Sequence, residues 1–448
     1  MFSKILIANR GEIALRIIRA CKEMGVATVA VYSEADREAM HVSLADESYC
    51  IGPAPVSASY LNIGSILEIA VATGCQAVHP GYGLLSENAA FAELCGKCGL
   101  TFIGPSPETI RLMGDKSEAK RNAIAAGVPV ALGTDGPLRD FDEAISEAER
   151  IGYPVMLKAA SGGGGKGIRV ALSVKDLKDA YDSAAAEAVA NFGDGRLYME
   201  KYIHNPRHIE VQILGDSLGN VVHLFERECS VQRRHQKLIE ECPSAFVTPE
   251  LREKMTSAAV ALAKRVGYRS AGTIEFLVDN DRNFYFCEMN TRIQVEHPVT
   301  EQVTGVDLVC EQLRIAAGEP ISFKQEDLVM RGHAIECRIN AEDPSRNFAP
   351  CPGTLVSLHL PGGPGVRVDS AAYQGYKIPP FYDSMIGKLI VYGSDRTQAI
   401  DRMRRALAET LFEGVVTGTD YQMHILCSKA FVDANFNVNS IANGDFDQ

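Results

Sequence analysis

The sequence predicts a multidomain protein of mixed α/β and α+β class. Its 448 residues exceed what one hydrophobic core ordinarily organises, so several domains are expected. Strand-like and helix-like patterns alternate from Lys4 to Gly104, which predicts a parallel sheet covered on both faces. Beyond Tyr153 the text turns β-rich, with two apolar runs flanking a glycine-rich loop, which predicts antiparallel hairpins.

The elements follow in order. KILIAN reads as a buried strand, GEIALRIIRACKEMG as a helix closed by Gly25, and ATVAVYS as a second strand. SYCIG, LNIGSILEIAVATG and QAVHPGYG continue the alternation, and LTFIG closes it. The loops Ala8–Glu12 and His79–Gly83 lie where open α/β sheets place ligands. The first holds Gly11 alone rather than GxGxxG, which argues against a dinucleotide site. ETIRLMGDKSEAKRNAIAAGV reads as one helical connector. A strand, a glycine loop and a second strand follow in YPVMLKAASGGGGKGIRVAL, then strands in RLYMEKYI, RHIEVQILGD and NVVHLFERECS. TPELREKMTSAAVALAKRVG is a helix, GTIEFLVDNDRNFYFCEMN a hairpin turning at Asp279–Arg282. After about Arg331 the chain is β-rich (GHAIECRIN, GTLVSLHL) and reaches a last helix around RTQAIDRMRRALAETLF.

Composition narrows the function classes. A net charge of −12 argues against a general nucleic-acid binder, yet allows a local basic pocket for an anionic substrate. No apolar run approaches the ~18 residues of a membrane helix. A strand begins at Lys4, leaving no room for a signal peptide. The 12 cysteines are scattered except for Cys95 and Cys98, which read as two thiols at a helix end before Gly99. A cytoplasmic protein with reduced thiols is expected. His208 and His235 lack zinc-ligand spacing, and no GxSxG elbow is present.

Gly162-Gly163-Gly164-Gly165-Lys166-Gly167 satisfies G-x-G-x-x-G literally. The β-branched text after it is a strand rather than the helix a Rossmann site needs, and Lys166 is not followed by Ser or Thr. What remains is a flap between antiparallel strands, able to lay backbone N–H groups over phosphates, with Lys158 entering it. Glu275 and Glu288 sit in apolar runs of the later hairpin, where carboxylates need a cation. Mg²⁺ fits, with Asn290 as a further oxygen ligand. In EMNTRIQVEH, Glu288 to His297, every second residue is polar. Eight extended steps from Glu288 to Glu296 would span ~26 Å, too far to serve one reacting centre. The strand is therefore expected to end near Asn290, with Arg292, Gln294 and Glu296 converging by curvature. The donor-rich run Glu226–Lys237 reads either as a solvated loop or as a cradle placing Gln232, His235 and Lys237 around an anion.

KILIANRGEIALRIIRA, HPGYGLLSEN, IGPSPETIRLMGDK, LKAASGGGGKGIRV, RECSVQRRHQKLIEE, EMNTRIQVEHPVTE, RGHAIECRINAEDP and FYDSMIGKLIVYG together resemble biotin carboxylase, the ATP-grasp subunit of acetyl-CoA carboxylase. The resemblance runs from about residue 2 to at least 430. It implies an N-terminal Rossmann-like domain over 1–115, an ATP-grasp domain over 116–330 with a mobile lid at about 131–203, and a C-terminal domain over 331–448. It implies that Lys116, Lys158 and the flap residues Gly163, Gly164, Gly165 and Gly167 bind ATP phosphates. Glu200, Lys201, Ile203 and Leu277 then match the adenine pocket, and His208, Gln232 and His235 the ribose and phosphates. Glu275, Glu288 and Asn290 match ligands for Mg²⁺ or Mn²⁺, usually two ions. Lys237, Arg292, Gln294 and the Val295 backbone match the bicarbonate pocket. Glu296 matches the base, Arg338 the cation that steadies the biotin enolate, and Tyr82 lies in the loop near biotin. Asn439 departs from the family, which has His there, and Ile203 stands where Leu is common.

The family's reaction makes carboxyphosphate from ATP and bicarbonate, then N-carboxybiotin, ADP and phosphate. No Ala-Met-Lys-Met segment is present, so the resemblance implies biotin carried on a separate carrier protein, a carboxyltransferase partner and a homodimer. Acetyl-CoA is the default acceptor, with pyruvate, propionyl-CoA and 2-oxo acids as alternatives. Two rivals are half of a carbamoyl phosphate synthetase and a silent nucleotide-binding scaffold.

Overall fold

The computed structural model describes residues 1–160 and 167–447. Near the N-terminus, β1 (Lys4–Ile7), β2 (Ala27–Ser33), β3 (Glu47–Gly52), β4 (Ala77–His79) and β5 (Thr101–Phe102) form a parallel sheet in the order β3-β2-β1-β4-β5. Successive residues of β1 enter different apolar clusters: Ile5 and Ile7 on one face, Leu6 and Ala8 on the other. Both faces are thus covered, as the continuous apolar runs predict. The loops after β1 and β4 are tied together, because the Asn9 amide donates to the carbonyls of Pro80 (2.6 Å) and Tyr82 (2.8 Å).

The helical connector consists of two helices, Pro107–Gly114 and Lys116–Ala125. Asp115 ends the first in extended backbone and caps the second, accepting from the N–H groups of Ser117 and Glu118. A local cap outweighs the continuous helical periodicity. Next, β6 (Val155–Ala159), β7 (Ile168–Ala171) and β8 (Leu197–Lys201) form a small antiparallel sheet in the order β7-β6-β8. The helices Phe141–Ile151 and Val174–Phe192 cover it around its own apolar cluster. The strand after the glycine loop confirms that no Rossmann helix follows.

The largest sheet holds β9 (Arg207–Gly215), β10 (Val221–Arg233), β11 (Gln236–Cys242), β12 (Ser270–Val278), β13 (Phe284–Asn290) and β14 (His333–Asn340), with strands Met385–Gly393 and Val366–Ser370 beyond β14. All its pairings are antiparallel. It continues through β11 and β14 across residue 331, while the apolar clusters on the two sides stay separate. The run Glu226–Lys237 is therefore not a solvated loop. Arg227, Glu228 and Ser230 are buried in β10, and the exposed part is Arg234 and His235, both left-handed, with Gln236 after them. Hydrogen-bond pairing on both edges pulled this polar text into the sheet.

All 12 cysteines are free, and Cys95 and Cys98 end a helix, with Cys95 buried and Cys98 exposed. No helix among the described residues is long and apolar enough to cross a membrane.

Candidate active site

The pleat of the large sheet sorts its side chains. Ile209, Val211, Ile213, Ile274 and Phe276 join one apolar cluster with the helix Pro249–Arg265. The alternate residues face the other way. Across β9 and β12, Glu210 stands opposite Glu275, Gln212 opposite Thr273, and His208 opposite Leu277. On β13, Glu288 stands opposite Glu275 and Asn290 opposite Thr273, with a bulge at Cys287. One face of these three strands therefore carries polar groups in the midst of apolar text.

At the centre lies Lys237. Its ammonium donates to Glu210 Oε2 (2.7 Å), Glu275 Oε1 (3.0 Å) and Glu296 Oε1 (2.6 Å). Arg338 holds the other Glu296 oxygen at 2.9 Å and Glu240 at 2.6 Å. Fully buried Arg227 reaches Glu210 (2.5 Å), Gln212 (2.7 Å), Thr300 (3.0 Å) and Thr273 (3.1 Å). Burial alone would raise the Glu296 carboxyl, but Lys237, Arg338 and Arg227 hold it well below the usual range. Burial would lower Lys237, yet Glu210, Glu275 and Glu296 raise it well above a free lysine. Glu240 is pushed up to about 7, because burial exceeds the pull of Arg338. Lys237 and Glu296 are thus kept charged by the partners around them.

The strand ends at Asn290 as expected, and a helix starts at His297. Between them the chain curls, so Arg292, Gln294 and Glu296 converge. Arg292 donates to Gln294 Oε1 (3.0 Å) and Asn290 Oδ1 (3.2 Å), while Asn290 (2.8 Å) and Gln294 (3.3 Å) both donate to Glu275 Oε1. Glu87 of the N-terminal unit anchors the curl, accepting from the Thr291 N–H (3.0 Å) and Arg292 Nε (2.9 Å). Tyr82 donates to Glu12.

Of the residues expected to hold a nucleotide, Lys158, Glu200 and Lys201 lie on the small sheet. Lys158 pairs with Glu200 at 2.6 Å, and Lys120 approaches the same carboxylate at 3.4 Å. Lys201 follows Glu200 on β8. Alternation on β8 sends its ammonium to the carbonyls of Gly152 (2.9 Å) and Tyr153 (2.8 Å), leaving only its backbone toward Glu200's side. Ile203 is half-buried. Asn439 donates to Asn205 at 2.9 Å, so the C-terminal tail closes over the chain just after Ile203. Lys116 is exposed at the start of its helix, and its charge acts on Glu288. Gln232 lies 3.4 Å from His208 Nδ1, whereas His235 is exposed on the turn. Gly167 has φ +70°, and a Cβ there would come within 2.8 Å of the Ala159 Cβ. Gly163, Gly164 and Gly165 lie outside the described residues.

The donor set suits a hard divalent cation. Glu275 and Glu288 present carboxylates side by side, and burial together with the Glu275 charge pushes the Glu288 carboxyl up. Like charges so placed call for a cation, and oxygen donors select Mg²⁺ or Mn²⁺. His208 Nε2 already lies 2.9 Å from Glu275 Oε2, so an ion at Glu275 would share that carboxylate with His208.

Pattern reading missed Glu12, Glu87, Glu210, Arg227, Glu240 and Lys388. Polar alternation in RHIEVQI was a usable signal for Glu210; the others are brought in by distant elements.

Comparison with known proteins places this geometry. Three family models match in succession: "Biotin carboxylase, N-terminal domain" over residues 1–110, "Carbamoyl-phosphate synthase L chain, ATP binding domain" over 115–324, and "Biotin carboxylase C-terminal domain" over 336–443. The chain is 54% identical over 446 residues to Biotin carboxylase 1 of Bacillus subtilis, covering 99% of each. It is 56% identical over 431 residues to a pyruvate carboxylase subunit of Methanothermobacter thermautotrophicus, covering 96% of this chain and 88% of that one. Among solved structures, the biotin carboxylase domain dimer of Hydrogenobacter thermophilus 2-oxoglutarate carboxylase, in complex with MgADP, ADP and bicarbonate, superposes with a TM-score of 0.95 at 52% identity, covering 100% of this chain and 99% of that one. The central model is named for carbamoyl-phosphate synthase, whereas the flanking models and the relatives above are named for biotin-dependent carboxylation. The chain belongs to the biotin carboxylase family of ATP-grasp ligases, which form a C–N bond at the expense of ATP.

Proposed function

We propose that this chain carboxylates biotin held on a separate carrier protein, as the first half-reaction of acetyl-CoA carboxylase. The observation that carries the chemistry is Glu296 shared between Lys237 and Arg338. Bicarbonate takes its place at Lys237, Arg292, Gln294 and the Val295 backbone. An anion there and biotin at Arg338 draw both cations from Glu296, raising it from its depressed resting state toward an effective base. Glu296 then accepts the bicarbonate proton as the bicarbonate oxygen attacks the γ-phosphorus and ADP leaves. Lys116 and Lys158, with the glycine flap, hold the phosphates, and Glu200, Lys201, Ile203 and Leu277 form the adenine side. The divalent ion at Glu275, Glu288 and Asn290 supplies charge neutralisation on the phosphate oxygens. Carboxyphosphate hydrolyses readily, so closure of the unit at about 131–203 excludes water. It breaks to CO₂ and phosphate; the phosphate removes the ureido N1′ proton, and the enolate, steadied by Arg338, attacks CO₂.

The reading includes domains at 1–115, 116–330 and 331–448, a homodimer, a cytoplasmic location, and carrier and carboxyltransferase partners. It is supported by the flanking family matches and by the relatives' names, which span more than one biotin-dependent carboxylase. The test is bicarbonate-dependent ADP release, with and without free biotin, followed by identification of the product made with the chain's native carrier and transferase. Stimulation by ammonia or glutamine instead of biotin would overturn it. A pyruvate- or 2-oxo-acid-derived product would reassign the acceptor alone.

A further inference from the structure

Two buried side chains outside the assigned machinery grip consecutive carbonyls of the curl. Lys388, on the strand Met385–Gly393, is completely buried, and its ammonium donates to the Val295 carbonyl at 2.7 Å. It also pairs with Glu12 at 3.2 Å, and Glu12 accepts the Tyr82 hydroxyl. His297 is likewise completely buried, with Nδ1 2.8 Å from the Gln294 carbonyl. A carbonyl only accepts, so His297 carries its proton on Nδ1. Burial and the nearby Lys388, Arg16 and Arg367 hold the ring well below the ordinary histidine range, which keeps it neutral.

In a trans peptide the N–H points opposite to the C=O of the same plane. Holding the Gln294 carbonyl therefore sets the direction of the Val295 N–H. Holding the Val295 carbonyl sets the plane that enters Glu296. From this geometry we propose that Lys388 and His297 are positioning residues. They orient the backbone of the anion-binding curl, and the link through Glu12 to Tyr82 couples that orientation to the loop on the biotin side. The inference rests on the proposed role of residues Arg292–Glu296 in bicarbonate binding. The competing account is that Lys388 merely neutralises Glu12 where the helix Gly11–Glu23 packs on the strand Met385–Gly393.

The test compares steady-state KM values for bicarbonate and ATP in the full chain. Lys388→Met should raise the bicarbonate KM about tenfold or more, the effect of losing a charge-assisted hydrogen bond, while the ATP KM stays within about twofold. Because that variant leaves Glu12 buried without its cation, the double variant Glu12→Gln/Lys388→Met serves as the charge-balanced form. Neutralisation alone predicts that the double variant restores the bicarbonate KM; positioning predicts that it remains raised. His297→Leu should raise the bicarbonate KM similarly, and His297→Asn, whose amide can donate from nearly the Nδ1 position, should recover it to within about threefold. The inference is overturned if the folded double variant has the wild-type bicarbonate KM, if His297→Leu and His297→Asn behave alike, or if the ATP KM rises in parallel. Were the wild-type chain to show no bicarbonate-dependent ADP release, the anion-site reading would fail first, and the inference with it.

Discussion

The large sheet and the small β6–β8 sheet hold their cations in opposite ways. In the large sheet Lys237 faces Glu210, Glu275 and Glu296, and Arg338 faces Glu240 and Glu296. These groups are almost fully enclosed, so every charge depends on a partner. On the small sheet a single carboxylate, Glu200, faces Lys158 and Lys120, and about a quarter of each of Glu200 and Lys120 is open. The first arrangement is closed, and under the proposed function it is preorganised for a small anion. The second sets two lysines against one carboxylate, and under the proposed function a polyphosphate completes it. Preorganisation suits a poor nucleophile that must be held still, and an open basic face suits a large substrate that enters and leaves.

The largest effect should come from breaking the closed cluster. Lys237→Met takes the shared cation from three buried carboxylates, and unfolding measured in denaturant should show a loss of ~3–5 kcal/mol. An unchanged midpoint would show that the cluster is softer than its distances imply. A control lies in the same sheet, away from the reacting centre. Buried Glu241 is held down to about 2 by His333 and Arg396, against burial, which would raise it. A carboxyl lower in the folded than in the unfolded chain contributes stability above its unfolded value near 4.5. That contribution, about 3 kcal/mol, is lost as pH falls from there toward about 2. Stability measured against pH in Glu241→Gln should lack that acid-dependent component, and a slope identical to wild type would refute the linkage.

Chemistry should respond next. Glu296→Gln and Arg338→Ala should each lower biotin-dependent turnover more than about tenfold, beyond ~1.4 kcal/mol, with ATP still bound. Near-wild-type rates would remove the role given to that residue. The open sheet should show the smallest change in stability. Lys158→Met should shift unfolding by less than ~1 kcal/mol while raising the ATP KM several-fold. A large destabilisation there would erase the contrast between the two sheets.

Much of this was legible in the chain. Strand and helix alternation announced the parallel sheet, because buried strands need continuous apolar runs and their crossovers need helices. The end of β13 near Asn290 followed from reach alone, since an extended chain cannot bring Glu288 and Glu296 to one centre. The site residues within EMNTRIQVEH and on β12 were readable because each lies in a short contiguous pattern. Two points the text left open were decided by neighbours: Asp115 divides the helical connector into two helices, and β-pairing buries most of the polar run Glu226–Lys237, which read equally as a solvated loop or an anion cradle.

The class of fold, the family, the two candidate metal carboxylates and the candidate base were readable in the order of amino acids alone. Those depend on residue type and near spacing, which a linear text carries. Which groups share a charge emerged only on folding. Lys388 lies 93 positions from Val295, and Arg292 meets Glu87 across 205 positions. Arg338 meets Glu296 from a strand beyond residue 331. Coulomb energy depends on separation in space and on burial, and neither is written in the order of residues.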